Sequence, residues 1–171
     1  GLSHEKSAQD LAINLIIAFI PAAILGLIFH SQIKLYLFNP VTVSVALIIG
    51  GIAMIIIEKK MPAKVPTSNS IKKSQALVIG LAQCMALIPG ISRAASTIMG
   101  GVISGLDRKT ATEFSFYLAI PIIFAASIFD MTINWDILSK EDLPIFIAGF
   151  IAAFFSARIV IKIFIKYVAN H

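Results

Sequence analysis

The sequence predicts an all-α polytopic membrane protein, one membrane domain over residues 1–171 with four transmembrane helices and one re-entrant helix–loop–helix hairpin. Three observations predict it. Hydrophobic residues make up 58% of the 171 and charged residues only 13%, with a mean hydropathy of +0.91, more apolar surface than a soluble domain can hide. The apolar residues fall in uncharged runs long enough to cross a bilayer. Between Ser74 and Leu106 the lone charge is Arg93, beside a helix-breaking Pro89-Gly90.

The first span is Leu11 to Phe29, with Pro21 and Gly26 as tolerated interruptions. The second lies in Leu35 to Ile57, where Asn39-Pro40 sets the helix start near Val41, for a span of about 41–58. A polar linker from Lys59 to Ser74 follows, with Lys59, Lys60, Lys64, Lys72, Lys73 and two prolines. Thr110 to Phe129 gives a third span (111–130) containing Pro121, and Leu143 to Lys166 a fourth, carrying Arg158, Lys162 and Lys166 on one face. There their long stems can snorkel toward headgroups.

The segment 74–105 is too long for one span and too short for two, which need roughly 40 residues. Charge decides how it runs. If it enters the bilayer and returns, Arg108, Lys109, Arg158, Lys162 and Lys166 share the cytoplasmic side with the lysine-rich linker. The acidic loop of Asp130, Asp136, Glu141 and Asp142 then lies outside, and only Lys34 and Lys140 of the loop cations are external. A single crossing reverses that distribution, so the hairpin is the expectation. The formal charge of +5 is explained by positive-inside loops and not by a nucleic-acid partner, since no basic-aromatic face accompanies it. Cys84 excludes an internal disulfide framework and is read as packing. His4, His30 and His171 form no ligand spacing.

At the hairpin tip a helix should stop before Pro89 and restart at Ser92 or Arg93, with Ser92 as cap. Its first amides and Arg93 then suit a phosphate. Arg93 is a phosphate clamp or a tie to backbone carbonyls, and Ser92 a cap or a ligand to phosphate. Thr97 shares a helical face with Arg93 and either faces the tip or bonds back to a carbonyl. Gln83 is a ligand or an interhelical tie. Glu113 is an acid in apolar surroundings or the end of a Thr110-Ala111-Thr112-Glu113 capping box.

At Gln83 to Thr97 and in Glu113-Phe114-Ser115-Phe116 the sequence resembles the undecaprenyl-diphosphatase (bacitracin-resistance) family. That family's second motif reads Pro-Gly-x-Ser-Arg-Ser-Gly-x-Thr, after a short helix carrying a glutamine. Pro89, Gly90, Ser92, Arg93 and Thr97 match, Gln83 falls at the glutamine, and Ala94 and Ala95 depart. Leu118-Ala119-Ile120-Pro121 and the Ile20-Pro21-Ala22 to Phe29-His30 span also look like the family. The resemblance implies an inverted repeat in the bacterial inner membrane and hydrolysis of a C55 isoprenyl diphosphate to the monophosphate carrier of cell-wall synthesis. It implies Arg93 and Ser92 as catalytic residues, with Gly90, Ile91, Thr97, Gln83 and Glu113 on the substrate. A divalent cation, Mg²⁺ or Ca²⁺, is also implied.

With no Asp, Glu or His between Ser74 and Leu106, the base and most metal ligands are expected from elsewhere. The family's first hairpin carries paired glutamates and a Ser-Ser-Thr-Gly-His run that this sequence does not match. The expectation is a piece of a longer protein that also lacks the family's last helix, completed by an N-terminal half or paired with a second copy. The alternatives are half of a lipid-phosphate transporter or flippase, distinguished by the absence of phosphate release, and a fragment that has lost its chemistry.

Overall fold

Uncharged apolar runs fold as helices because a bilayer leaves each backbone amide and carbonyl no partner but its own helix. The computed structural model, which describes residues 2–61, 71–137 and 139–170, contains no strand among them. Lys64 in the basic linker and His171 lie outside the described residues, as do the side chains of His4 and Lys140. The helices are α1 (Leu2–Gln32), prolonged by a π-helical turn at Ile33–Leu37, then α2 (Pro40–Lys60), α3 (Lys73–Gln83), α4 (Arg93–Ile103), α5 (Arg108–Ile133) and α6 (Leu143–Asn170). Four stretches are long and apolar enough to cross a membrane: Ala8–Leu37, Pro40–Lys60, Arg108–Ile133 and Leu143–Tyr167. Helices α3 and α4 have 11 residues each, about 16 Å of helix against a hydrocarbon core of about 30 Å. Neither can span alone.

The helix ends differ from expectation where local breakers are missing. Helix α1 runs past the expected 11–29 at both ends, because no glycine or proline interrupts it before Pro21 and nothing stops it before Asn39-Pro40. The connection between the first two spans is thereby reduced to Phe38 and Asn39. The Asn39 side chain caps α2, accepting the Thr42 amide at 2.9 Å, with Pro40 at the first helical position. Helix α5 begins at Arg108 and is capped by Asp107, whose carboxylate accepts the Thr110 amide at 3.0 Å and the Thr110 hydroxyl at 2.6 Å. The capping box at Thr110–Glu113 is therefore corrected. The cap lies three residues earlier, and Thr110 is its partner.

The described chain forms two compact units, residues 1–119 and 120–171. In the first, α1 and α3 run parallel. The Asn14 amide donates to the Ile71 carbonyl at 2.6 Å, Gly80 lies on Ala18, and Leu87 reaches Gly26. The α1–α3 crossing is a backbone contact, since a Cβ on Gly80 would stand 2.6 Å from the Ala18 carbonyl oxygen. Helices α3 and α4 are antiparallel, with the Gln75 amide donating to the Ser104 carbonyl at 3.1 Å at their base. An ion pair joins Glu58 at the end of α2 to Arg108 at the start of α5. The chain therefore leaves α2, runs out along α3, returns along α4 and begins α5 beside the point of departure. Ala76, Ile79, Phe114 and Leu118 form the core here, each at most 1% exposed.

The second unit holds the rest of α5, single 3₁₀ turns at Trp135–Ile137 and Lys140–Asp142, and α6. Helix α6 presents Phe146, Phe150, Phe154 and Ile159 outward, as a lipid-facing helix does.

Candidate functional site

The tip between α3 and α4 is built by four consecutive local rules. Helix α3 tightens after Gln83 into a 3₁₀ turn, Cys84–Leu87, so the helix ends a turn before Pro89. Ile88 is extended (φ −81°, ψ 118°), as the residue preceding a proline must be. Ile88–Ile91 then forms a type II turn, with Pro89 and Gly90 (φ +99°) in the middle and the Ile91 amide donating to the Ile88 carbonyl at 3.1 Å. Ser92 is extended and caps α4, its hydroxyl accepting the Ala95 amide at 3.3 Å. The amides of Arg93 and Ala94 head the helix beside that cap, where the helix dipole is positive. Gly90 is seated against α2: a Cβ there would lie 2.5 Å from the Val43 carbonyl oxygen and 3.1 Å from the Ala46 Cβ.

Arg93 is half-buried. Its Nη2 donates to the Ser115 carbonyl at 3.2 Å, and its Nη1 is buried with no hydrogen-bond partner among the described residues. Thr97, one turn along the same face, is 0% exposed and turned into the seam between α4 and α5. Its hydroxyl lies 2.6 Å from the Ser115 hydroxyl and bonds back to the Arg93 carbonyl at 3.0 Å. Of the two readings of Thr97, the back-bond is formed, and the hydroxyl is turned to Ser115 on α5. Gln83 closes α3 at 2% exposure, and neither its Oε1 nor its Nε2 has a partner among the described residues. A buried amide with both ends unpaired costs free energy unless something polar meets it.

The structure therefore brings Arg93, Thr97 and Ser115 together, with Gly90, Ile91 and Ser92 in the turn that leads into them. Glu113 is not part of that group. It sits two residues before Ser115, roughly 200° around α5, and no ion pair links it to Arg93. Sequence reasoning missed three contributors. Ser115 was quoted only within a run of residues. Asn14, whose signal is its polarity within an uncharged span, ties α1 to Ile71. Asp107 precedes Thr110 at N-cap spacing. Partial burial alone raises the Asp107 carboxyl, but the Thr110 hydroxyl and nearby amides outweigh that and hold it below the usual carboxylate range. For a divalent cation, the described residues offer no group of three His, Cys, Asp or Glu side chains.

Comparison with known proteins matches residues 2–171 to the profile of the bacitracin resistance protein BacA. The undecaprenyl-diphosphatase of Methylobacillus flagellatus is 48% identical over 174 residues, covering 98% of this chain and 65% of the relative. That of Aromatoleum aromaticum is 47% identical, covering 100% and 63%, and that of Ectopseudomonas mendocina is 47% identical, covering 100% and 62%. The chain thus spans slightly under two thirds of the length of these relatives.

Proposed function

The chain belongs to the bacitracin resistance protein BacA family, and on that premise we propose that it supplies the phosphate-gripping hairpin of an undecaprenyl-diphosphate phosphatase in the bacterial inner membrane. In the reaction, water attacks the terminal phosphorus of the isoprenyl diphosphate, the bond to the bridging oxygen breaks, and inorganic phosphate leaves the lipid monophosphate behind. The observation that carries this reading is Arg93, fastened by one guanidinium nitrogen to the Ser115 carbonyl while the other is buried without an acceptor among the described residues.

The diphosphate is a polyanion in apolar surroundings, so its binding requires fixed donors. Arg93 Nη1 and the leading amides of α4 supply them, and the positive end of the helix adds to their pull. Ser92 already accepts the Ala95 amide, which leaves its O–H to donate to a phosphate oxygen. It hydrogen-bonds no carboxylate or imidazole among the described residues, so it is assigned a phosphate contact rather than attack. Gln83, whose side-chain amide has no partner among the described residues, closes the helix leading into the tip and is assigned to the same substrate. Gly90 and Ile91 shape the turn that brings this backbone close. A divalent cation, when bound, would neutralise charge on the diphosphate; among the described residues no group of three His, Cys, Asp or Glu side chains forms a ligand set for it.

Isothermal titration of the chain in lipid nanodiscs with geranylgeranyl diphosphate tests the reading. Saturable binding that geranylgeraniol does not displace is expected, weakened in Arg93→Lys by tenfold or more, the worth of a charge-assisted bond of about 1.5–3 kcal/mol. Equal affinity of parent and variant would end the phosphate-clamp reading.

A further inference from the structure

We infer that Ser115 is the positioning residue of the site, setting through its carbonyl and its hydroxyl which nitrogen of Arg93 is presented to a phosphate oxygen. The inference rests on the phosphate-clamp reading above. Arginine has five N–H donors and three rotatable bonds beyond Cβ, so a guanidinium in a cavity adopts many orientations unless one edge is held. Here one edge is held. Nη2 donates to the Ser115 carbonyl at 3.2 Å, which leaves Nη1 as the buried nitrogen without a partner among the described residues. A helix carbonyl can accept this second bond because its oxygen has two lone pairs and the helix ladder uses one.

The carbonyl orients Arg93 only if α5 is fixed in rotation and height against α4. The Ser115 hydroxyl does that. It lies 2.6 Å from the Thr97 hydroxyl, and both residues are at least 98% buried. Thr97 is itself anchored to the carbonyls of Arg93 and Ala94, at 3.0 and 3.1 Å. The result is a closed circuit: Arg93 side chain, Ser115 carbonyl, Ser115 hydroxyl, Thr97 hydroxyl, Arg93 carbonyl. A sub-ångström slip of α5 moves the carbonyl that aims the guanidinium. The partners are 18 and 22 residues apart in the chain, so the circuit forms only when the hairpin docks on α5.

Ser115→Ala removes the hydroxyl and keeps the carbonyl, and it leaves no orphan, since Thr97 retains its back-bonds. A double-mutant cycle on the full chain in nanodiscs, with geranylgeranyl diphosphate as probe, isolates the effect. Ser115→Ala is expected to weaken binding roughly fivefold, the loss of one positioning bond, with the thermal midpoint recorded for each variant. In an Arg93→Lys background the same substitution is expected to change affinity less than about twofold, because no guanidinium remains to be aimed. Parent-like binding by Ser115→Ala, or an undiminished loss in the Arg93→Lys background, overturns the positioning role and leaves the clamp standing. Parent-like binding by Arg93→Lys, or no binding by the parent, overturns the clamp, and Ser115's role with it.

Discussion

Gly90→Ala is expected to damage the hairpin tip twice over. The residue sits at φ +99°, where a side chain costs about 1–2 kcal/mol. The new methyl would also stand 2.5 Å from the Val43 carbonyl oxygen and 3.1 Å from the Ala46 Cβ. Ordinary contact begins near 3.5 Å, so the tip must retreat from α2 by about 1 Å, at an overpacking cost of about 1–3 kcal/mol. The two sum to about 2–5 kcal/mol, and the retreat carries Ser92 and Arg93 with it. Thermal unfolding in nanodiscs, followed by helical circular dichroism, reads the first effect, and titration with geranylgeranyl diphosphate reads the second. Gly50→Ala and Gly51→Ala are the controls. Nothing lies within 4 Å of either, so they should be neutral or stabilising by up to about 1 kcal/mol. Adding Ala46→Gly to Gly90→Ala should restore little, because the φ strain and the backbone oxygen of Val43 remain. A Gly90→Ala variant that unfolds and binds like the parent, or a full rescue by Ala46→Gly, would refute the argument.

Three further outcomes are expected. Asp107 is held below its ordinary value, so its capping contribution is complete above the unfolded-state value of about 4 and is lost as pH falls through the folded one. Melting curves should show an acid-side loss of stability that Asp107→Asn lacks. Cysteines at Lys60 and Lys109 should react with an impermeant maleimide from one face of the membrane and a cysteine at Asp136 from the other; opposite labelling of the first two would exclude the hairpin. With no trio of metal-ligating side chains among the described residues, the chain alone should bind the diphosphate but release no phosphate above an Arg93→Ala control in Mg²⁺ or Ca²⁺, a result that a malachite green assay reads directly.

The parts of the site that were legible in the sequence are those governed by near neighbours. Pro89-Gly90 followed by Ser92-Arg93 specifies a turn and a helix cap within a few residues, and the structure forms both. The positive-inside argument reached the hairpin from charges alone, and the Glu58–Arg108 pair gives the same doubling back from geometry. What was not legible depends on distant chain. Thr97 could be placed on the face of Arg93 by helical spacing, but its burial is decided by α5. Ser115 carried no signal beyond the run that contains it, because a serine in an apolar helix has no distinguishing feature until its partners arrive. The Asp107 cap was legible and was missed, since Thr110–Glu113 satisfied a capping pattern just as well on paper. The length of α1 was misjudged because apolarity was taken to set helix ends, whereas breakers set them.

The backbone contacts of the hairpin also fix how far this region can vary. A conventional core tolerates exchange among Leu, Ile, Met and Phe because rotamers absorb the difference in shape. The seam from Ala18 through Gly80, and from Ala82 to Gly100, has no such slack, since a Cβ on Gly80 meets main chain and one on Gly100 would stand 2.6 Å from the Ala82 Cβ. Its alphabet is reduced to glycine and alanine, while the outward faces of α2 and α6 accept almost any large apolar residue. Random substitution would therefore divide this protein into a freely drifting lipid-facing surface and a nearly immutable seam between the helices that carry Gln83 and Arg93.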